Sequence, residues 1–204
     1  MSSEPGENAV TTKTPPLSET DRPLRADARR NHERILESAR LVFAEAGADA
    51  QIDDVARQAG VGVGTVYRHF PTKEALLAEL VRQKFRLFAD RAREALEDDR
   101  EPFAVIEGLL RRNAATAAGD AGIQYAIASA GEQAWTHAQA EQDELIALTA
   151  VLIERARRVG TIRPDVEAVD FGMLMCGVCS TMGARPDFDW RRHLNLVIDV
   201  LRTH

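Results

Sequence analysis

From Thr65 to Lys73 the chain reads Thr-Val-Tyr-Arg-His-Phe-Pro-Thr-Lys, a run in which hydrogen-bonding side chains interleave with apolar ones. Helical spacing sorts them. Val66 and Phe70, four apart, share an inward face, and Thr65, Arg68 and His69 lie outward. A threonine hydroxyl bonds a phosphate oxygen, and its methyl can meet the methyl of thymine. The planar fork of Arg68 matches O6 and N7 of guanine, which makes it the candidate for base readout. Lys73, at the start of the next helix, can share one phosphate with that helix's free N–H groups. This is the chemistry of nucleic-acid recognition.

The elements that must position these groups are legible around them. Ile52, Val55, Ala56 and Ala59 fall at helical spacing behind Asp53-Asp54, a favourable helix start. Gly60 stops that helix, and Gly62 and Gly64 are expected to supply a tight turn. A second helix is predicted from Thr65 to Phe70, ended by Pro71. Two short helices joined by a glycine turn describe a helix-turn-helix, whose second helix enters the major groove. Upstream, Asp27 to Ala46 is predicted to be an amphipathic helix with Ile35, Leu36, Ala39, Val42, Phe43 and Ala46 on one face and Gly47 as its stop. Its start carries Arg25, Arg29, Arg30 and Arg34, and a phosphate contact is expected from Arg29 or Arg30.

Val-Gly-Val-Gly-Thr-Val-Tyr-Arg-His-Phe followed by Lys73 resembles the signature of the TetR family of bacterial transcriptional regulators, over Ala28 to about Leu80. The resemblance implies phosphate contacts from Tyr67 and His69. It also implies a helical body with a cavity whose occupation moves two DNA-binding heads apart. The chain departs from the family pattern at Gln51, where members often carry Thr, and at Gly62, where they often carry Ser. The expected DNA-binding set is therefore Arg29, Arg30, Gln51, Gly62, Gly64, Thr65, Tyr67, Arg68, His69 and Lys73.

A hydrophobic content of 45% with only 5% aromatic residues points to an all-α fold cored by Ala, Leu, Val and Ile. Net charge is −6, yet Arg25 to Lys73 holds eight basic against seven acidic residues, and the segments on either side are acidic. A small DNA module on an acidic body is consistent with that distribution. No signal peptide is visible, and two cysteines make no disulfide framework, so a cytoplasmic protein is expected. Phe171 to Met182, the most apolar stretch, is too short to span a bilayer, and no membrane partner is expected.

Residues 1–24, rich in Ser, Thr, Pro and Glu, read as a disordered tail, 25–72 as the DNA-binding domain and 73–204 as an effector-binding and dimerisation domain of about six helices. These are expected at Lys73 to Leu96, Phe103 to Ala118, Gly122 to Ala130, Gln139 to Val159, Asp165 to Met182 and Phe188 to Arg202. No catalytic constellation, metal set or cofactor motif is present, which argues against a small helical enzyme. Glu97-Asp98-Asp99 reads as a solvated loop. Cys176-Gly-Val-Cys179 sits mid-helix in what reads as apolar surroundings, where packing outweighs a redox role. Candidate lining for a small apolar or aromatic effector is Phe85, Phe88, Phe103, Tyr125, Trp135, His137 and Met173.

The last two helices carry a small-residue stripe, Gly172, Cys176, Cys179, Ser180 and Gly183, and an apolar stripe, Trp190, Leu194, Val197, Ile198 and Leu201; two copies of this helix pair are expected to form a four-helix bundle across a two-fold axis, the homodimer interface. The reading is a homodimeric repressor of a palindromic operator, released by a small molecule. A regulator governed by a protein partner is the alternative.

Overall fold

The computed structural model describes residues 21–120, 136–184 and 187–203. Among these, eight α-helices follow one another: α1 Asp21–Ala46, α2 Ile52–Ala59, α3 Val63–His69, α4 Lys73–Leu96, α5 Pro102–Gly119, α6 Gln139–Arg158, α7 Ala168–Ala184 and α8 Trp190–Leu201. The all-α expectation holds, with no strand among the described residues. The helix expected at Gly122 to Ala130 and most of the tail lie outside them.

α1 begins at Asp21, six residues before the expected start, so the last residues assigned to the tail are helical. Arg22, Leu24, Arg25 and Ala26 are good helix formers, in keeping with helix over these residues. α3 also begins earlier than expected, because Gly62 is its N-cap with φ −68° and Gly64 lies within the helix rather than in the turn. The turn itself is made at Gly60, left-handed at φ 62°. The N–H groups of Gly60 and Val61 return to the carbonyls of Arg57 and Ala56, closing the end of α2.

Two apolar cores follow from the helix faces. The first gathers Ile35, Leu36, Ala39 and Phe43 of α1, Ile52, Val55, Ala56 and Ala59 of α2, Val66 and Phe70, and Leu76, Leu77, Leu80 and Val81 of α4. The second joins Ala92 and Ala95 of α4 to Phe103, Ile106 and Leu110 of α5, Leu152 and Ile153 of α6, Val178 and Met182 of α7, and Leu194, Ile198 and Leu201 of α8. α4 thus belongs to both, and it packs most extensively against α6.

Helix ends in the body are closed by side chains. The Glu101 carboxylate accepts from the N–H groups of Phe103 and Ala104 at 2.8 Å each, with Pro102 in the first turn. Arg155 of α6 donates to the carbonyls of Leu96 and Asp98, satisfying the end of α4. The loop carboxylate Asp98 is held by Arg100 at 2.7 Å, in agreement with a structural role for Glu97-Asp98-Asp99. α7 starts at Ala168 rather than Asp165, because Asp165 is occupied by Arg163 and the chain there pairs Ile162 with Arg202.

Gly60 gives a direct test of the turn. A Cβ there meets nothing within 4 Å, so only the left-handed backbone opposes a side chain. Gly60→Ala is expected to cost about 1 kcal/mol in denaturant unfolding, and an unchanged midpoint would show that the turn tolerates any residue.

Candidate nucleic-acid interface

The residues singled out for DNA converge on one surface of the first core. α3 is anchored by Val66, fully buried, and by Phe70 just beyond its end. His32 of α1 stacks on Phe70 at 4.9 Å between ring centroids and meets His69 edge-on at 5.6 Å. With that side fixed, Tyr67 and Arg68 stand exposed and Thr65 is half-exposed. Gly62 and Gly64 are exposed without side chains, so the start of α3 can be approached closely.

Next to α3 is a hollow of about 570 Å³ lined by Gln51, Ile52, Asp53, Asp54, Tyr67, Pro71, Thr72 and Lys73. The N-termini of both α2 and α4 contribute to it, so free N–H groups and the positive ends of two helix dipoles edge one concavity. Gln51 is the N-cap of α2, but its amide donates to the carbonyl of Asp49 at 2.7 Å. The reciprocal cap comes from Asp54, which accepts from the Gln51 N–H at 3.4 Å. That carboxylate also holds Arg57 at 2.8 Å. Thr72, which sequence reasoning passed over, caps α4 by accepting from the Ala75 N–H at 3.1 Å. The signal was available: a threonine directly before a long apolar-periodic helix.

Lys73 does more within the chain than its position predicts. Its Nζ donates to the carbonyl of Ala48 at 2.6 Å and lies 5.6 Å from the centroid of Phe43. Two further N–H donors remain to the ammonium. Arg29 and Arg30 are exposed at the start of α1 and are paired along the helix with Glu33 and Asp27.

The body distributes the other candidates differently from the expectation. Phe85 and Phe88 are half-buried on α4, and His137 is exposed just before α6. Phe103 is sealed in the second core beneath the guanidinium of Arg202, 4.5 Å from its ring centroid, and so is core rather than lining. Met173 is 65% exposed and points away from the core, so it does not line an interior cavity. Tyr125 and Trp135 lie outside the described residues.

On α7, Gly172, Cys176 and Ser180 are exposed and Cys179 is half-buried; Gly183 lies in the last turn. Burial raises the Cys179 thiol above its ordinary pKa. Cys176 does not share those apolar surroundings, because α7 turns it to the surface. On α8 the expected interface stripe is largely the chain's own core: Leu194 and Leu201 are buried there, and Trp190 and Val197 pack against it half-buried. The strongest apolar stripe of an amphipathic helix belongs to its own core first. The open side of α8 carries Leu196 and Val200 instead, more than half exposed.

No group of three or more His, Cys, Asp or Glu suited to a metal occurs among the described residues. No helix among them is long and apolar enough to cross a membrane.

The geometry of His69 makes it sensitive to pH. Burial disfavours its charged form, and the nearby His32 and Arg68 add to this, so its pKa lies below the ordinary 6.5. Its contribution to stability is complete above pH 6.5 and is lost as pH falls through that value toward the lower folded pKa. The melting temperature should therefore fall between pH 7.5 and about 5, and His69→Gln should flatten the slope. An equal slope in both proteins would assign it elsewhere.

Comparison with known proteins agrees with this architecture. Residues 35–80 match the family model described as bacterial regulatory proteins, tetR family. Residues 101–203 match that described as transcriptional regulator SbtR-like, C-terminal domain. The TetR transcription regulatory protein from Mycobacterium vanbaalenii is 34% identical, covers 89% of this chain and all of its own, and superposes with a TM-score of 0.63. A TetR transcriptional regulator from Streptomyces coelicolor is 29% identical over 84% of this chain and 98% of its own, with a TM-score of 0.60. FadR from Bacillus subtilis, solved in complex with stearoyl-CoA, shares the fold at a TM-score of 0.67 and 18% identity, covering 83% of this chain and 96% of its own. A curated HTH-type transcriptional regulator of Staphylococcus aureus is 29% identical over 85 residues, 41% of this chain, and the match spans about half of that relative's length. With a helix-turn-helix at one end and a helical body matched across its length at the other, the chain belongs to the TetR family of DNA-binding transcriptional regulators, which are not enzymes.

Proposed function

We propose that this protein is a homodimeric repressor that binds a palindromic operator and releases it when a small molecule occupies the body. Residues 25–72 form the DNA-binding head, and 73–204 bind the effector and dimerise. The observation that carries the reading is the single exposed surface joining Thr65, Tyr67 and Arg68 to the hollow edged by the starts of α2 and α4. Arg68 reads a guanine edge, Thr65 meets a base or phosphate, and Tyr67, His69, Lys73 and the free N–H groups of Thr72-capped α4 hold phosphates. Arg29 and Arg30 exchange their helical carboxylate partners for phosphate. Gln51 offers no hydroxyl, and its own N–H is held by the Asp54 carboxylate.

Dimerisation rests on the outward face of α7 and α8. Val169, Met173, Leu196 and Val200 are exposed apolar residues, and Gly172, Cys176 and Ser180 between them are small enough for a second helix pair to approach. A two-fold contact there gives two identical heads, which is what an inverted repeat requires. That the fold accommodates a small ligand is supported by FadR, which holds stearoyl-CoA. Release follows by population shift, the effector preferring a conformer whose heads no longer fit the half-site spacing.

Selection from a random duplex pool should enrich an inverted repeat bound with steep salt dependence. Arg68→Ala should cost about 1–3 kcal/mol at one base position, and Lys73→Ala should weaken all sequences alike. Enrichment of no repeat would sink the operator reading. For assembly, Met173→Asp changes an exposed residue and should leave helicity intact while halving the sedimenting mass and abolishing operator binding. A mutant with wild-type mass would remove α7 from the interface. A thermal-shift and operator-release screen of neutral, anionic and cationic small molecules tests the effector itself.

A further inference from the structure

The last turn of α3 ends in a cluster of three rings drawn from two helices. His32 of α1 stacks on Phe70, 4.9 Å between centroids and 30° between planes, and meets His69 edge-on at 5.6 Å. His69 also lies 6.3 Å from Phe70, its neighbour in sequence. Phe70 is buried in the first core, and both imidazoles are half-buried at the edge of the surface that carries Tyr67 and Arg68. Two imidazoles in contact form a place where one positive charge opposes a second.

The surrounding charges do not offset that opposition. Those acting on His69 are His32 from α1 and Arg68 from its own helix, and among the described residues no carboxylate acts on it. Flanking His32 on α1, Arg29 and Glu33 pair with one another and Arg34 bonds Asn31. α2, which packs against α3, pairs Asp54 with Arg57, and its Asp53 opens into the hollow beside Tyr67 and Lys73. α4 begins with Lys73, turned to the Ala48 carbonyl. Burial and the two basic neighbours keep the His69 pKa below 6.5, so its ring is neutral in the free head at neutral pH. A phosphate oxygen brought beside Arg68 and Tyr67 supplies the negative charge that no side chain does. It favours the protonated ring through a charge-assisted hydrogen bond.

We propose that His32 is a positioning residue of the DNA interface, which props the His69 ring toward the phosphate backbone and sets its protonation, so that each head takes up a proton as it binds DNA. This rests on the reading of α3 as the DNA-contacting helix. Phe70 fixes His32, and His32 fixes His69. The sign follows from linkage. The proton is held more tightly in the complex than in the free head. Affinity therefore rises as pH falls through the value of the complex and levels off below that of the free head. The acid range that weakens the free head strengthens its hold on DNA.

Titration calorimetry tests this with the full chain and a mixed-sequence duplex at low salt, in PIPES and in imidazole buffer. The buffer supplies the proton, so a difference in binding heat between the two reports uptake. Affinity should rise about ten-fold between about pH 7.5 and 6. His69→Gln should abolish the uptake. His32→Phe keeps a ring against Phe70 but removes the second imidazole, so its affinity profile should move to higher pH. A merely structural His32 would lower affinity at every pH and leave the profile in place. Equal heats in the two buffers, uptake that survives His69→Gln, or a His32→Phe profile that does not move each overturns the proposal. A phosphate is common to every sequence, so uptake on the mixed duplex with no inverted repeat enriched overturns the palindromic operator and leaves this coupling standing. No binding to any duplex overturns both.

Discussion

The bond from the Lys73 ammonium to the Ala48 carbonyl is the constraint on which the geometry of the head depends. It is short, 2.6 Å, partly buried and charge-assisted, and the same ammonium lies over the ring of Phe43, itself fully buried. It ties the first residue of α4 to the turn after α1, across the hollow beside the recognition helix. Leu76, Leu77, Leu80 and Val81 then continue the first core. The head is therefore not a bead on a linker. Its core includes two turns of the helix that becomes the body, and the mechanical boundary lies within α4 rather than at its start.

Beyond that boundary α4 is stitched to the body by charge as well as packing. Glu141 of α6 receives Arg86 at 2.9 Å and Arg82 at 3.2 Å, and Arg93 pairs with Glu144 one turn further on. Burial would raise the Glu141 pKa, but the bonds from its own backbone N–H and from Arg86 and Arg82 overcome this and hold it low. Exposed ion pairs contribute little singly. Glu141, whose side chain is only 12% exposed, is different because two guanidiniums share it, and losing both would strand a largely buried carboxylate. Ala138, at the entry to α6, is fully buried in the head's core, so α6 touches the head directly as well as through α4.

Much of this was legible in the sequence because the strongest signals are local. The apolar spacing of α1, α2 and α4 and the stop at Gly60 need no tertiary information, and they place Val66 and Phe70 inward and Arg68 outward. What was not legible depends on partners distant in sequence. Nothing near Lys73 announces Ala48, and nothing near Phe103 announces Arg202. The α8 stripe shows a different failure. Periodicity identifies an apolar face but not its owner, and Leu194 and Leu201 went to the chain's own core while the weaker row of Leu196 and Val200 stayed open.

That sharing of α4 sets how the two ends of this protein can influence each other. A ligand shifts a conformational equilibrium only by its difference in affinity between the two states. Contacts confined to α5, α7 and α8 leave both states alike as far as the head is concerned, because those helices do not enter its core. Contacts on α4, or at the start of α6, differ between any two states in which the head has moved, because these segments are built into it. A rearrangement along α4 therefore reaches the head through continuous helix, without a chain of intermediate side chains. The ion pairs around Glu141 oppose that motion. They lie on the face of α4 toward α6, so any movement of α4 relative to the body must break them or carry α6 with it.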